Sequence, residues 1–166
     1  MILGLNLAQF TFLHVFLSLV GIGAGLFVVF GLLTSRPLRI LTALFFVTTF
    51  GTSVTGFFFP FHGVTPGIIV GILSLIALPL AYYALYVRKL AGAWRGTYVI
   101  AAMVAFYFNV FVLFAQLFAK VDALKAIAPT PASPAFGVTQ LVVLVVFVGL
   151  TVLAYKRFQR GSLGAA

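Results

Sequence analysis

Residues 9–33 read QFTFLHVFLSLVGIGAGLFVVFGLL, with no charged side chain and only Gln9, Thr11, His14 and Ser18 as polar interruptions. As a helix rising about 1.5 Å per residue, this stretch is about 38 Å long, more than the roughly 30 Å hydrocarbon core of a bilayer. A helix on the surface of a water-soluble bundle needs a polar face, and this segment has almost none. Four further apolar blocks follow, at 40–61, 66–87, 96–119 and 138–155, each long enough to cross. Across the 166 residues, 64% are hydrophobic and 7% charged, which is far from the balance of a soluble domain. The sequence therefore predicts an all-α membrane protein: a single domain built as a bundle of five transmembrane helices.

Basic residues set the expected orientation, because cytoplasmic loops carry the excess of Lys and Arg. Arg36 and Arg39 follow the first block, Arg88, Lys89 and Arg95 the third, and Lys156, Arg157 and Arg160 the fifth. Only Lys120 and Lys125 fall elsewhere, beside Asp122. The expected topology has the N-terminus outside and the C-terminus in the cytoplasm. Tyr82, Tyr83, Tyr86, Trp94, Tyr98 and Tyr155 then lie near the cytoplasmic interface, where amphipathic aromatics anchor. The first block lacks a basic start and is too long for a signal core, so it is expected to remain as a span.

The connections carry their own signals. Thr65 is placed to cap the third span, with Pro66 at the first helical position, where its missing N–H costs nothing. Pro79 falls inside the same span, frees the carbonyl of Leu75 and is expected to bend the helix without ending it. The segment KVDALKAIAPTPASPAFG at 120–137 holds three prolines and is expected to run extended on the outside.

The chain has no cysteine, and Asp122 is its single acidic residue. That excludes disulfides, iron–sulfur clusters, covalently attached c-type haem, thiol nucleophiles, paired glycosidase carboxylates and carboxylate-bridged metal pairs. The net charge of +9 resides in short interhelical clusters and forms no stripe, so nucleic acid is not expected as a partner. No catalytic signature emerges, and the chain is expected not to be an enzyme.

Small and polar residues mark the faces that membrane helices turn toward protein. His14, Ser18, Gly21 and Gly25 share a face of the first span, and Gly67, Gly71 and Ser74 a face of the third. On the fourth, Ala102, Ala105, Asn109 and Gln116 share one face, expected to point into the bundle. Tyr107, Phe111, Phe114 and Phe118 lie opposite, expected against lipid or a partner. By helical rise, His14, Gln116 and Gln140 occupy one layer on the outer side, Asn109 lies near the midplane and His62 nearer the surface. Thr48, Thr49, Thr52, Ser53 and Thr55 on the second span read mainly as packing residues.

The layer formed by His14, His62, Asn109, Gln116 and Gln140 has two readings: hydrogen-bonded glue between helices, or a site opening outward. As a site, His14 and His62 would be the axial pair of a haem b, although His62 is expected roughly 8 Å above His14. A quinone or other apolar ligand would lie among Phe57, Phe58, Phe59 and Phe61. His14, His62 and Asp122 follow no metal-ligand spacing, so no metal centre is expected. A transporter or channel would route its cargo past His14 and Asn109, without a buried carboxylate to couple protons. The leading expectation is an accessory or assembly subunit of a larger membrane complex, or a homo-oligomer, with the aromatic stripe of the fourth span as its contact surface.

The stretches TSVTGFFFPFH, LAGAWRGTYV and NVFVLFAQLFAKVDALKAIAPT resemble an uncharacterised family of small multi-span bacterial inner-membrane proteins. The resemblance runs from about the first span through the proline-rich segment. It implies a bacterial inner membrane and lends no activity, so it assigns no residue a role.

Overall fold

The computed structural model describes residues 2–36, 38–60, 63 and 65–163, with side chains to Phe158. Phe61 and His62 lie outside the described residues. Six α-helices account for the fold: α1 Leu7–Thr34, α2 Arg39–Gly56, α3 Pro66–Tyr82, α4 Trp94–Lys120, α5 Asp122–Ile127 and α6 Pro134–Leu163.

Each boundary has a local cause. Asn6 caps α1 in a reciprocal capping box: its Oδ1 accepts from Gln9 N at 2.9 Å while Gln9 Oε1 accepts from Asn6 N at 3.1 Å. α1 ends where Ser35 turns left-handed at φ 54° and returns its N–H to Gly31 O. Thr65 caps α3, its Oγ1 accepting from Ile68 N at 3.4 Å with Pro66 in the first turn, as the sequence predicts. α3 continues through Pro79 and widens into a π-turn at Tyr83–Val87.

Three boundaries differ from the sequence expectation. α2 stops at Gly56, short of 61, because Pro60 disfavours helical backbone before it. Phe57 N and Phe58 N instead bond Val54 O and Thr55 O at 3.1 Å, and the rings of Phe58 and Phe59 fold back onto Phe10 of α1. The segment expected to be extended contains α5, whose closing bond runs from Ala128 N to Leu124 O at 2.9 Å. Its prolines begin only at Pro129, so nothing in 122–127 opposes a helix. α6 starts at Pro134, four residues before 138, again with proline in the first turn.

Among the described residues, four helices are long and apolar enough to cross a membrane: α1, α3 with its π-turn, α4 and α6 through Phe158. α2 falls outside that set because 18 residues including Thr42, Thr48, Thr49, Thr52, Ser53 and Thr55 dilute its apolar character. Its hydroxyls are largely absorbed by its own backbone: Thr48 donates to Leu44 O at 2.7 Å, Ser53 to Thr49 O at 2.9 Å and Thr55 to Gly51 O at 2.8 Å.

α4 is the hub, packed against α1, α3 and α6, while α2 lies between α1 and α3. At the centre Phe106 meets Phe45 edge-on at 6.1 Å and Phe147 at 5.2 Å. Gly25 makes room for that ring, since a Cβ there would overlap Phe106. The C-terminus of α1 is tied to α6 by Ser35 Oγ donating to Arg157 O at 2.9 Å. Beside it, Arg95 at the start of α4 lies over Phe158, and Phe46 near the start of α2 packs on Tyr82 and Tyr86. These contacts gather Arg36, Arg39, Arg88, Lys89, Arg95, Lys156 and Arg157 at one end of the bundle. Lys120, Asp122 and Lys125 lie at the other.

The core is not spread evenly between those ends. Buried residues of α1 are Phe10 and then Gly21 onward; those of α4 run from Gly96 to Asn109 and then only Phe118. Burial by α1 and α4 is denser toward the basic end and thinner toward the opposite one.

Candidate functional site

The polar layer resolves into three separate clasps between helices. The first joins α1 to α2, where His14 Nδ1 lies 2.8 Å from Thr55 Oγ1. Thr55 has one hydroxyl proton, which it directs to backbone carbonyls, Gly51 O at 2.8 Å and Thr52 O at 3.2 Å. Two carbonyls compete for that proton, which favours the tautomer in which Nδ1 donates to Thr55 and Nε2 keeps its lone pair. Phe59 stands edge-on to the imidazole at 5.1 Å and to Phe10 at 5.1 Å, walling one side of the ring.

The second clasp joins α4 to α2. Asn109, buried near the middle of α4, donates from Nδ2 to Thr49 Oγ1 at 2.9 Å. Gly21 of α1 completes the site by close approach: a Cβ there would sit 3.1 Å from Thr48 Oγ1 and 3.2 Å from Thr49 Oγ1. Three helices thus meet around one hydrogen bond. From sequence, Thr49 reads mainly as a packing residue. Its depth on α2 matches that of Asn109 on α4, and a buried amide demands a partner, so the signal was present.

The third clasp joins α6 to α4, where Gln140 Nε2 donates to Phe111 O at 3.1 Å. The other amide atom, Gln140 Oε1, is buried and has no partner among the described residues, and the same holds for Thr52 Oγ1.

Two expectations are corrected. Gln116 is exposed and does not face the bundle. It shares the angular face of Asn109, but cover on that face thins along α4, from buried Asn109 through half-buried Val112 and Leu113 to exposed Gln116. The aromatic stripe of α4 is not a free surface either, because α6 of the same chain covers part of it: Tyr107 meets Phe147 at 5.6 Å and Phe118 meets Phe136 at 5.7 Å.

His62, the second imidazole expected for a haem, lies outside the described residues. Among the described residues no three His, Asp or Glu side chains come together as a metal site. Two open apolar grooves flank α4: one of about 390 Å³ against α3 and one of about 210 Å³ against α6. Neither is lined by His14, Asn109 or Gln140.

No family, no curated protein and no solved structure matches this chain. It stands as a small all-helical, multi-span membrane protein.

Proposed function

We propose that the chain is a five-span protein of the bacterial inner membrane, N-terminus outside and C-terminus in the cytoplasm, that serves without catalysis as an accessory or assembly subunit of a larger membrane complex. α2 is the fifth span in this reading. Its 18 residues cover about 27 Å, and its hydroxyls bond their own helix, which lowers their cost in lipid. The clustering of basic residues at one end supports that end as the cytoplasmic one.

The observation that carries the accessory role is the use made of the polar groups. His14, Asn109 and Gln140 each hold one helix to another and do not frame a common path. The outer face of α6 is where a partner would dock, in place of the aromatic stripe. Val138, Val142, Val145 and Val152 are exposed along one ridge, and Gly149 interrupts it with open space where a Cβ would stand. Valine has little rotamer freedom to lose, and a glycine notch lets a second backbone come close. A photo-crosslinker at Val145 should attach to a larger membrane subunit that also co-purifies in mild detergent. Cross-links to lipid alone, or to a second copy of this chain, would contradict the assignment.

A second reading, a bound redox cofactor or apolar ligand, is favoured by one observation: His14 presents a bare Nε2 beside Phe10 and Phe59. A metal-ligating imidazole is held in this way, with its other N–H donated to a neighbour. A Soret band lost in His14→Ala would support haem. Quinone recovered in organic extracts of the protein, and lost with the same substitution, would support that ligand.

A further inference from the structure

The groove between α3 and α4 is lined by Leu73, Ile76 and Leu80 on one side and by Thr97, Ile100 and Phe108 on the other. Along α4 it runs from Thr97 to Phe108, a rise of about 16 Å, which is the thickness of one hydrocarbon leaflet and about half of the bilayer core. Its lining is apolar apart from Thr97, which stands one turn inside Trp94.

The mouth of the groove is differently built. Following α3 beyond Leu80 leads to Tyr83, and following α4 back from Thr97 leads to Trp94. These two rings meet edge-on at 5.2 Å, one helical turn beyond the groove lining at the basic end. The Arg88 guanidinium lies over the Trp94 ring at 5.3 Å. The turn that carries it is fixed by unusual backbone: Lys89 and Leu90 are left-handed at φ 48° and 58°, and Leu90 N reaches back to Ala84 O at 3.0 Å. Leu90 packs on the core, which holds that conformation in place. Arg88 and Lys89 are both exposed, and no acidic side chain exists at this end, since Asp122 beyond α4 is the single one in the chain.

We propose that this groove is a binding site for an anionic phospholipid, with one acyl chain along α3 and α4 and the headgroup phosphate at Arg88 and Lys89. The Trp94 indole N–H and the Tyr83 hydroxyl flank the position of the glycerol backbone. A partner helix is the weaker occupant on two counts. A spanning helix needs a groove across the whole bilayer, whereas this one ends at mid-depth. The unneutralised cations at its mouth also call for a negative charge at that level. Basic pockets between helices at an anionic leaflet are built in this manner. The inference stands whether or not the protein joins a larger complex.

The test is retention of dioleoylphosphatidylglycerol against dioleoylphosphatidylcholine by the full-length protein in mild detergent, read by native mass spectrometry. The wild-type chain should retain phosphatidylglycerol selectively. The double substitution Arg88→Gln with Lys89→Gln should weaken that retention by about fivefold per charge removed and leave phosphatidylcholine unaffected. Ile76→Trp, on the exposed rim of the groove, should lower retention with the charges intact, while Lys125→Gln at the far end should change nothing. Equal retention of the two lipids, or wild-type retention by either groove variant, would overturn the proposal.

Discussion

The bond between Asn109 and Thr49 offers the sharpest test of how the bundle is held together. It is buried, 2.9 Å long, and sits where α1, α2 and α4 meet. In a membrane the unfolded reference state also finds hydrogen-bond partners, so such a bond is worth on average about 0.6 kcal/mol and at most about 1.7. The geometry here argues for the upper part of that range. Thr49 is fully buried, and Gly21 brings a third backbone against the pair, which excludes competing water. A double-mutant cycle isolates the bond: Asn109→Ala, Thr49→Val and the combination, with unfolding followed in mixed micelles by helical circular dichroism. Valine keeps the shape of threonine, and the cavity left by alanine cancels in the cycle. The expected coupling is about 1 kcal/mol or more, a fivefold change in the unfolding constant. A coupling below about 0.3 kcal/mol would show that the two side chains are near each other without holding the helices.

Gln140→Leu should cost less than about 1 kcal/mol in the same assay, because the lost Nε2 bond to Phe111 O is offset by removal of a buried Oε1 that has no partner among the described residues. A loss above about 1 kcal/mol would mean that the amide is satisfied in the folded protein. Gly25→Val should cost about 1–3 kcal/mol through displacement of the Phe106 ring, read as a lower unfolding midpoint; an unchanged midpoint would contradict the close packing of α1 on α4. Nitrogen-15 NMR of His14 should show a protonated Nδ1 and a bare Nε2, with the preference lost in Thr55→Val. Protonation at Nε2 in the wild-type chain would refute the hydrogen-bond assignment.

Much of the architecture was legible in residue order because lipid simplifies the code. Uninterrupted apolar length marks α1, α3, α4 and α6 with no need of periodicity, and the Thr65–Pro66 pair marks the start of α3. The same logic applied to Ser133–Pro134 would have placed the start of α6, four residues ahead of where the apolar run begins. α5 is hard to see in the sequence because its six residues are too few to show a helical period and lie just before the prolines at 129, 131 and 134. The site was harder. Angular position on α4 correctly aligned Ala102, Ala105 and Asn109, but it could not reveal that cover on that face is lost by Gln116. Nor could it show that α6 lies over Tyr107 and Phe118. Those are properties of how helices tilt against each other, which periodicity on a single helix does not encode.

The central claim is that five helices cross the bilayer with the basic end in the cytosol, and α2 is the helix on which it turns. Because the natural chain has no cysteine, single cysteines report cleanly on sidedness. Pro60→Cys and Lys125→Cys should react with a membrane-impermeant maleimide in intact cells, and Arg36→Cys and Arg88→Cys only after the membrane is opened. Positions 36 and 60 labelling from the same side would show that α2 does not cross and would contradict the account.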